Sequence, residues 1–142
     1  REWTIVKKRM KSKREHTIPI SSQLHTLLQE LYEVTGHHEH LFPNQQNPKS
    51  HMSENTLNKA IKAMGFDATA HGMRSLFSTL ANEGGYNPDA VERQLSHIDP
   101  NETRAAYNRA KYLKERSNMM QKWADYLDKL TSDSESNGVE NV

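Results

Sequence analysis

Apolar residues with helical spacing run through the chain from residue 21 onward, and they constrain the fold more than any other feature. Leucines at positions 24, 27, 28 and 31 share one face behind Ser21 or Ser22, either of which can cap a helix. Similar patterns predict helices over residues 53–64, 71–83, 88–95, 101–107 and 111–130, separated by Gly and Pro residues. The residues expected to face inward on the helices over 71–83 and 111–130 are Met73, Leu76, Phe77, Leu80, Leu113, Met120, Trp123 and Leu127.

Two short β-prone segments precede the helices. They are the WTIV segment at residues 3–6 and residues 16–20, where Thr17, Ile18 and Ile20 are the β-formers. Residues 7–16, between them, hold six Lys or Arg residues and one Glu. This pattern predicts a two-stranded hairpin with a basic tip. The expected fold is therefore mainly α with a small N-terminal β hairpin, in the α+β class.

Length and composition limit the organisation and the chemistry. The 142 residues fit one modest domain, with 34% hydrophobic residues. Residues 1–130 hold all 19 Lys and Arg but 15 of the 18 acidic residues, which permits a polyanionic partner. Residues 131–142 are predicted to form a disordered acidic tail. The chain has no Cys, which excludes disulfides and thiolate chemistry, and no apolar run approaches about 18 residues, so no membrane partner is expected.

Two motifs could engage a phosphate. The basic hairpin tip centres on Lys11, and His71 and Arg74, in HGMR, lie three residues apart and so share a helix face. The N-terminus of that helix adds N–H groups and a positive dipole end, which also favour an anion. Each motif alone is better explained as a solvated turn, or as a capping histidine beside a surface arginine.

Two further motifs follow, and one histidine cluster stands apart. His97, in QLSH, comes just after a short helix, and Tyr107, in AAYNR, lies on the next one; singly, each is typical of a structural residue. The GHHEH segment superficially suggests a metal site. Adjacent histidines in a loop lack a fixed geometry, however, and no carboxylate-rich segment follows, so no metal site is predicted. The histidines of this segment are His37, His38 and His40.

The order Lys, H-x-x-R, His, Tyr resembles the catalytic set of the tyrosine recombinases, the phage integrase family. RMK leads the hairpin tip, and Pro19 follows Lys11 by eight residues, as in the family's hairpin. HGMR resembles the H-x-L-R box, QLSH the LGH box and AAYNR the nucleophile segment. The ending YNRAKYLKERSNMMQKWADYL looks like that of prophage and genomic-island integrases. The resemblance extends to Leu130 and implies a catalytic-domain fold truncated at its N-terminus.

The resemblance implies a mechanism and a set of partners. Tyr107 would be the nucleophile and form a 3′-phosphotyrosyl link, and Arg74 and His97 would contact nonbridging oxygens. His71 would accept the tyrosine proton or act as a positioning group, and Lys11 would protonate the leaving oxygen. No metal or other cofactor is implied. The expected partners are double-stranded DNA at attachment sites, a homotetramer on paired sites and an excision or directionality factor, in the bacterial cytoplasm at the nucleoid. The expected DNA-contacting residues are Lys7, Lys8, Arg9, Lys13 and Arg14.

The sequence departs from the family pattern at three points. Ser96 stands where Gly is common, and ten residues separate His97 from Tyr107 where nine is more usual. The family's first arginine belongs upstream of the WTI strand, so we expect the 142-residue chain alone to have low activity. Two alternatives stay open: a type IB topoisomerase, and a non-catalytic DNA-binding module derived from such enzymes.

Overall fold

A computed structural model of the chain describes residues 1–10, 14–97 and 112–138, with side chains in the last segment described through Asp133. Within these residues a two-stranded sheet precedes five α-helices, which confirms the predicted fold class. The helix predicted over residues 101–107 lies outside the described residues. The elements are β1 (Glu2–Ile5), a 3-10 helix (Lys7–Arg9), β2 (His16–Pro19), α1 (Ser22–Thr35), α2 (Glu54–Ala63), α3 (Ala70–Glu83), α4 (Pro88–Gln94) and α5 (Leu113–Gly138).

The hairpin forms where the β-prone segments predict it. β1 and β2 pair antiparallel, with Trp3 opposite Ile18 and Thr4 opposite Thr17. The two threonine hydroxyls lie 3.1 Å apart, so they join the strands across one face. The connection between the strands begins with the 3-10 helix, whose three basic side chains are exposed.

The chain divides into two compact units, Arg1–His25 with Tyr86–Val142, and Thr26–Gly85. In the first unit, α4 begins with Pro88 in its first turn, and the Asn87 side chain accepts a hydrogen bond from the Asp89 amide at 3.0 Å. Val91 and Leu95 of this segment are buried. Other buried apolar residues in the described part of this unit are Pro19, Ala90, Tyr112 and Met119.

Polar side chains fasten the start of α1 to α5 within the first unit. The Ser22 amide donates to Gln121 Oε1 at 2.9 Å, and Gln23 Nε2 donates to Asp125 Oδ1 at 2.8 Å and to Asp128 Oδ2 at 2.9 Å. Gln121 Nε2 also donates to Asp125, at 2.8 Å. The hydrogen bonds from Gln23 and Gln121 lower the pKa of Asp125, because they stabilise its ionised form.

The buried side of α5 differs from the predicted one. Among the described side chains, Arg116 and Met119 on α5 and Tyr112 just before it are buried, at spacings of four and three residues, whereas Leu127 is 44% exposed. Leu113, Met120 and Trp123, also predicted to face inward, are only half-buried. The core-facing stripe is thus displaced by about one residue, since a buried arginine occupies a position that hydrophobicity alone assigns to solvent.

The helix α5 also continues to Gly138, eight residues beyond the predicted boundary at Leu130. Thr131 and Ser132 are exposed, and their hydroxyls donate to carbonyls of the preceding turn, at Leu127 and Asp128. Backbone hydrogen bonding propagates from the packed part of the helix without tertiary burial. The polar composition of residues 131–142 predicts a lack of burial, and disorder of the acidic tail stays a prediction.

In the second unit α2 and α3 begin and end within one residue of the predicted bounds. Gly65, with φ +86°, follows α2, and the Thr69 side chain accepts from the Gly72 amide at the start of α3. Phe77 is buried on α3, but Met73 and Leu76 are about half exposed, so their inward assignment is wrong. Helical spacing identifies an apolar face, but burial also needs an opposing surface, which the described residues do not place over these two side chains.

The loop between α1 and α2 contains an isolated antiparallel bridge between Pro43 and His51. The imidazole of His40 pairs with the Lys49 carbonyl at 3.2 Å, and that of His51 with the Met52 carbonyl at 2.9 Å. Among the described residues no cluster of three or more metal-ligating side chains occurs. No helix in the described part of the chain is both long and apolar enough to cross a membrane.

Candidate active site

The H-x-x-R motif lies at the beginning of α3. His71 and Arg74 are both exposed, and their spacing of three places them on one face. Thr69 determines this start, because its side-chain oxygen accepts the Gly72 amide at 3.0 Å while its carbonyl accepts the Met73 amide. The motif therefore presents an imidazole and a guanidinium from adjacent helical turns.

The main-chain contribution to an anion site here is smaller than the sequence suggests. Asn58 Oδ1, on α2, accepts the Ala70 amide at 3.0 Å, and Thr69 accepts that of Gly72. Two of the first amides of α3 thus already have partners. Binding of a phosphate at this helix start would depend mainly on the His71 and Arg74 side chains.

His97 is held by a carboxylate that the sequence motifs did not single out. Its Nδ1 lies 2.5 Å from Glu92 Oε2, and its amide donates to the Glu92 carbonyl at 3.0 Å. Both side chains are about half exposed, at 50% for His97 and 54% for Glu92. Because Nδ1 faces a carboxylate, it carries a hydrogen, and Nε2 is the ring nitrogen left for a ligand.

Ser96 gives a structural reason for the glycine that the family favours before this histidine. Its φ is +57°, the one positive value among the described non-glycine residues. Left-handed backbone costs such a residue about 1–3 kcal/mol, whereas glycine adopts it freely. The turn reverses the chain after α4 and allows His97 to reach back to Glu92.

The basic connection of the hairpin is described only in part. Lys7, Lys8 and Arg9 are exposed in the 3-10 helix, and Arg14 is half-buried close to β2. The proposed general acid Lys11 and the DNA-contacting candidate Lys13 lie outside the described residues, as does the nucleophile candidate Tyr107.

The predicted catalytic residues that the structure describes therefore lie in two local groups, and the second group includes Glu92, which the motifs did not predict. One is His71 with Arg74 on α3, in the unit Thr26–Gly85. The other is His97 with Glu92 at the end of α4, in the unit that also contains the hairpin. The spacing of five residues between a carboxylate and a histidine across a helix end was the signal that could have revealed Glu92.

Comparison with known proteins shows which family the chain belongs to. Residues 1–114 match the phage integrase family. The chain belongs to the phage integrase family. It is 42% identical over 135 residues to prophage integrase IntA of Escherichia coli strain K12, covering 94% of this chain and 33% of that protein. It is 46% identical over 125 residues to the integrase of Enterobacteria phage P4, covering 84% of this chain and 28% of that protein.

Further integrases show a similar relation. Prophage integrase IntZ of Escherichia coli strain K12 is 41% identical over 124 residues, covering 85% of this chain and 30% of that protein. The chain thus spans about a third of the length of these relatives. No solved structure matches the chain significantly.

Proposed function

We propose that the full-length protein containing this chain is a site-specific DNA recombinase that integrates or excises a prophage or genomic island through a covalent tyrosine intermediate. The observation that carries the proposal is the exposed His71–Arg74 pair on one face of α3, in a chain whose residues 1–114 match the phage integrase family. His97 supports it, because the Glu92 carboxylate orients its imidazole.

Tyr107 is the proposed nucleophile of this reaction. Its phenolic oxygen attacks the scissile phosphorus and loses its proton to His71, acting as general base. The bond from phosphorus to the 5′ oxygen breaks, and Lys11 protonates that oxygen. The products are a 3′-phosphotyrosyl enzyme and a free 5′-hydroxyl. Because the phosphotyrosyl ester replaces the phosphoester bond that breaks, the 5′-hydroxyl of a second strand can attack it and reverse the step without ATP.

Arg74 and His97 act on the phosphate itself in this proposal. Arg74 is suited to a forked contact with two nonbridging oxygens, since its guanidinium donates in parallel directions. In its doubly protonated form, His97 donates from Nε2 to a nonbridging oxygen while Nδ1 donates to Glu92. Together they neutralise charge that grows in the transition state, where such preorganised donors have their largest effect.

The hairpin connection supplies DNA affinity in this proposal. Its cations contact backbone phosphates near the cut, so binding falls steeply with salt and carries little sequence information. In the cell the protein acts in the bacterial cytoplasm on double-stranded attachment sites, as a homotetramer on paired DNA and with a directionality factor for excision. The residues assigned to these backbone contacts are Lys7, Lys8, Arg9, Lys13 and Arg14.

A strand-exchange assay with the full-length protein tests the function. Two DNA molecules carrying attachment sites should yield recombinant products. Relaxation of supercoiled DNA without exchange would instead indicate a topoisomerase, and binding without cleavage would indicate a non-catalytic module.

Removal of the Glu92 carboxylate should slow cleavage. We expect Glu92→Ala to reduce the single-turnover rate about 10- to 100-fold, the range seen when an orienting partner of a functional histidine is lost. Glu92→Gln should reduce the rate less, because the amide oxygen of the glutamine still accepts a hydrogen bond from Nδ1 of His97. The rates are measured on a nicked substrate that traps the covalent product.

A double-mutant cycle distinguishes positioning from a separate role. If Glu92 acts through His97, then Glu92→Ala combined with His97→Ala should be no slower than His97→Ala alone. Additive losses would show that Glu92 acts elsewhere. Glu83→Ala, an exposed acid at the end of α3, serves as the matched control.

A further inference from the structure

Arg116 is a buried cation that joins three elements of the first compact unit. Its side chain lies on α5 and is 2% exposed. Nε donates to Gln94 Oε1, the last residue of α4, at 2.9 Å, and one terminal nitrogen donates to the Thr17 carbonyl of β2 at 2.7 Å. One guanidinium thus connects the hairpin and α4 to the last helix.

The charge of Arg116 is retained at an energetic cost. Burial, together with the nearby Arg93, lowers the pKa of Arg116 to about 10, while Glu2 opposes the shift. The guanidinium is therefore still cationic near pH 7, although the folded state disfavours that form. Apolar side chains of similar volume often match or exceed buried charges in stability. The fixed directions in which the guanidinium donates its two hydrogen bonds explain an arginine at this position better than a gain in stability does.

The two acceptors of Arg116 adjoin segments assigned to the chemistry. Thr17 lies on β2, which begins at His16, five residues after Lys11. Gln94 ends α4, three residues before His97. A planar fork with donors in fixed directions sets the distance between its two acceptors, which a flexible ammonium cannot do.

We propose that Arg116 is a positioning residue for DNA cleavage, which holds the base of the Lys11 hairpin in register with the end of α4 that carries His97. This inference rests on the proposed function, and it adds a residue that touches neither the DNA nor the reacting atoms. Loss of either hydrogen bond displaces the hairpin, so Lys11 no longer reaches the leaving 5′ oxygen correctly.

The test uses the full-length protein and two suicide substrates, one with the ordinary 5′ bridging oxygen and one with sulfur at that position. A sulfur leaving group needs no protonation, so it bypasses Lys11. Gln94→Leu removes one acceptor of Arg116, and Gln94→Glu preserves it, which makes a matched pair. Arg116→Lys keeps the charge without the fork, and thermal unfolding verifies that each variant folds.

We expect Gln94→Leu and Arg116→Lys to cleave the oxygen substrate roughly 10- to 100-fold more slowly, the scale of a displacement of about 1 Å. On the sulfur substrate, the cleavage rates of these two variants should be within about threefold of the rate of the unaltered protein. Gln94→Glu should cleave both substrates at a near-normal rate. If Arg116→Lys does not fold, the comparison of Gln94→Leu with Gln94→Glu tests the inference by itself.

Three results overturn the inference in distinguishable ways. Equal slowing of Gln94→Leu on both substrates, while sulfur rescues Lys11→Ala, shows that Arg116 does not act through the hairpin and leaves the proposed function intact. Failure of sulfur to rescue Lys11→Ala removes the acid role of Lys11 and, with it, this inference. Near-normal cleavage of the oxygen substrate by folded Gln94→Leu also overturns it.

Discussion

Tyr107→Phe should abolish the covalent protein–DNA adduct in the full-length protein. The change keeps the aromatic ring and deletes the only atom proposed to attack phosphorus, so we expect no product above background. The measurement is the amount of adduct stable to heat and detergent on a nicked suicide substrate. This is the largest effect that the proposed mechanism predicts, because no other residue in it substitutes for a nucleophile.

A control is needed to show that Tyr107→Phe fails in chemistry rather than in binding. DNA affinity, measured by gel shift at fixed salt, should be unchanged, since a single phenolic oxygen contributes little beside the phosphate contacts. Tyr86→Phe is the matched control, because Tyr86 is a half-buried tyrosine before α4 with no role in the mechanism. Adduct formation by Tyr107→Phe would refute the assignment.

Lys11→Ala should slow cleavage of the ordinary substrate by about 10²–10⁴-fold, the usual contribution of a general acid. The leaving 5′ oxygen departs as a high-energy alkoxide when no proton is supplied. A substrate with sulfur at the 5′ bridging position should therefore restore most of the rate. Single-turnover cleavage of both substrates by the same preparation measures the effect.

Lys13→Ala provides the comparison for Lys11, because it removes a cation from the same hairpin connection. It should weaken DNA binding and make that binding less dependent on salt, because the variant neutralises about one phosphate fewer. When saturated with DNA, it should cleave at a near-normal rate. Slowing of Lys13→Ala that sulfur rescues, with Lys11→Ala unrescued, would move the acid role to Lys13.

Elements defined by local chemistry were predictable from the sequence. The hairpin follows from two β-prone segments, and the start of α4 follows from Asn87-Pro88, where the Asn side chain and the proline each favour a helix start. The common face of His71 and Arg74 follows from their spacing alone. These features depend on residues near one another in the chain, so no tertiary information is needed.

Features that depend on distant partners were not predictable. Arg116 reads as one more surface cation on a charged helix, and its burial depends on Thr17 and Gln94, which lie far away in sequence. The occupied amide of Ala70 depends on Asn58 of another helix. In each case the missing information is which segments meet, which periodicity does not contain.

The central claim is that one tyrosine of this chain joins DNA covalently, and peptide mapping tests it most directly. The full-length protein is trapped on a nicked suicide substrate, digested with protease and nuclease, and the nucleotide-bearing peptide is sequenced by mass spectrometry. We predict a single modified residue, Tyr107, linked to a 3′-phosphate and leaving a free 5′-hydroxyl. A nucleotide on any other residue, or a 5′-phosphate linkage, would contradict the account.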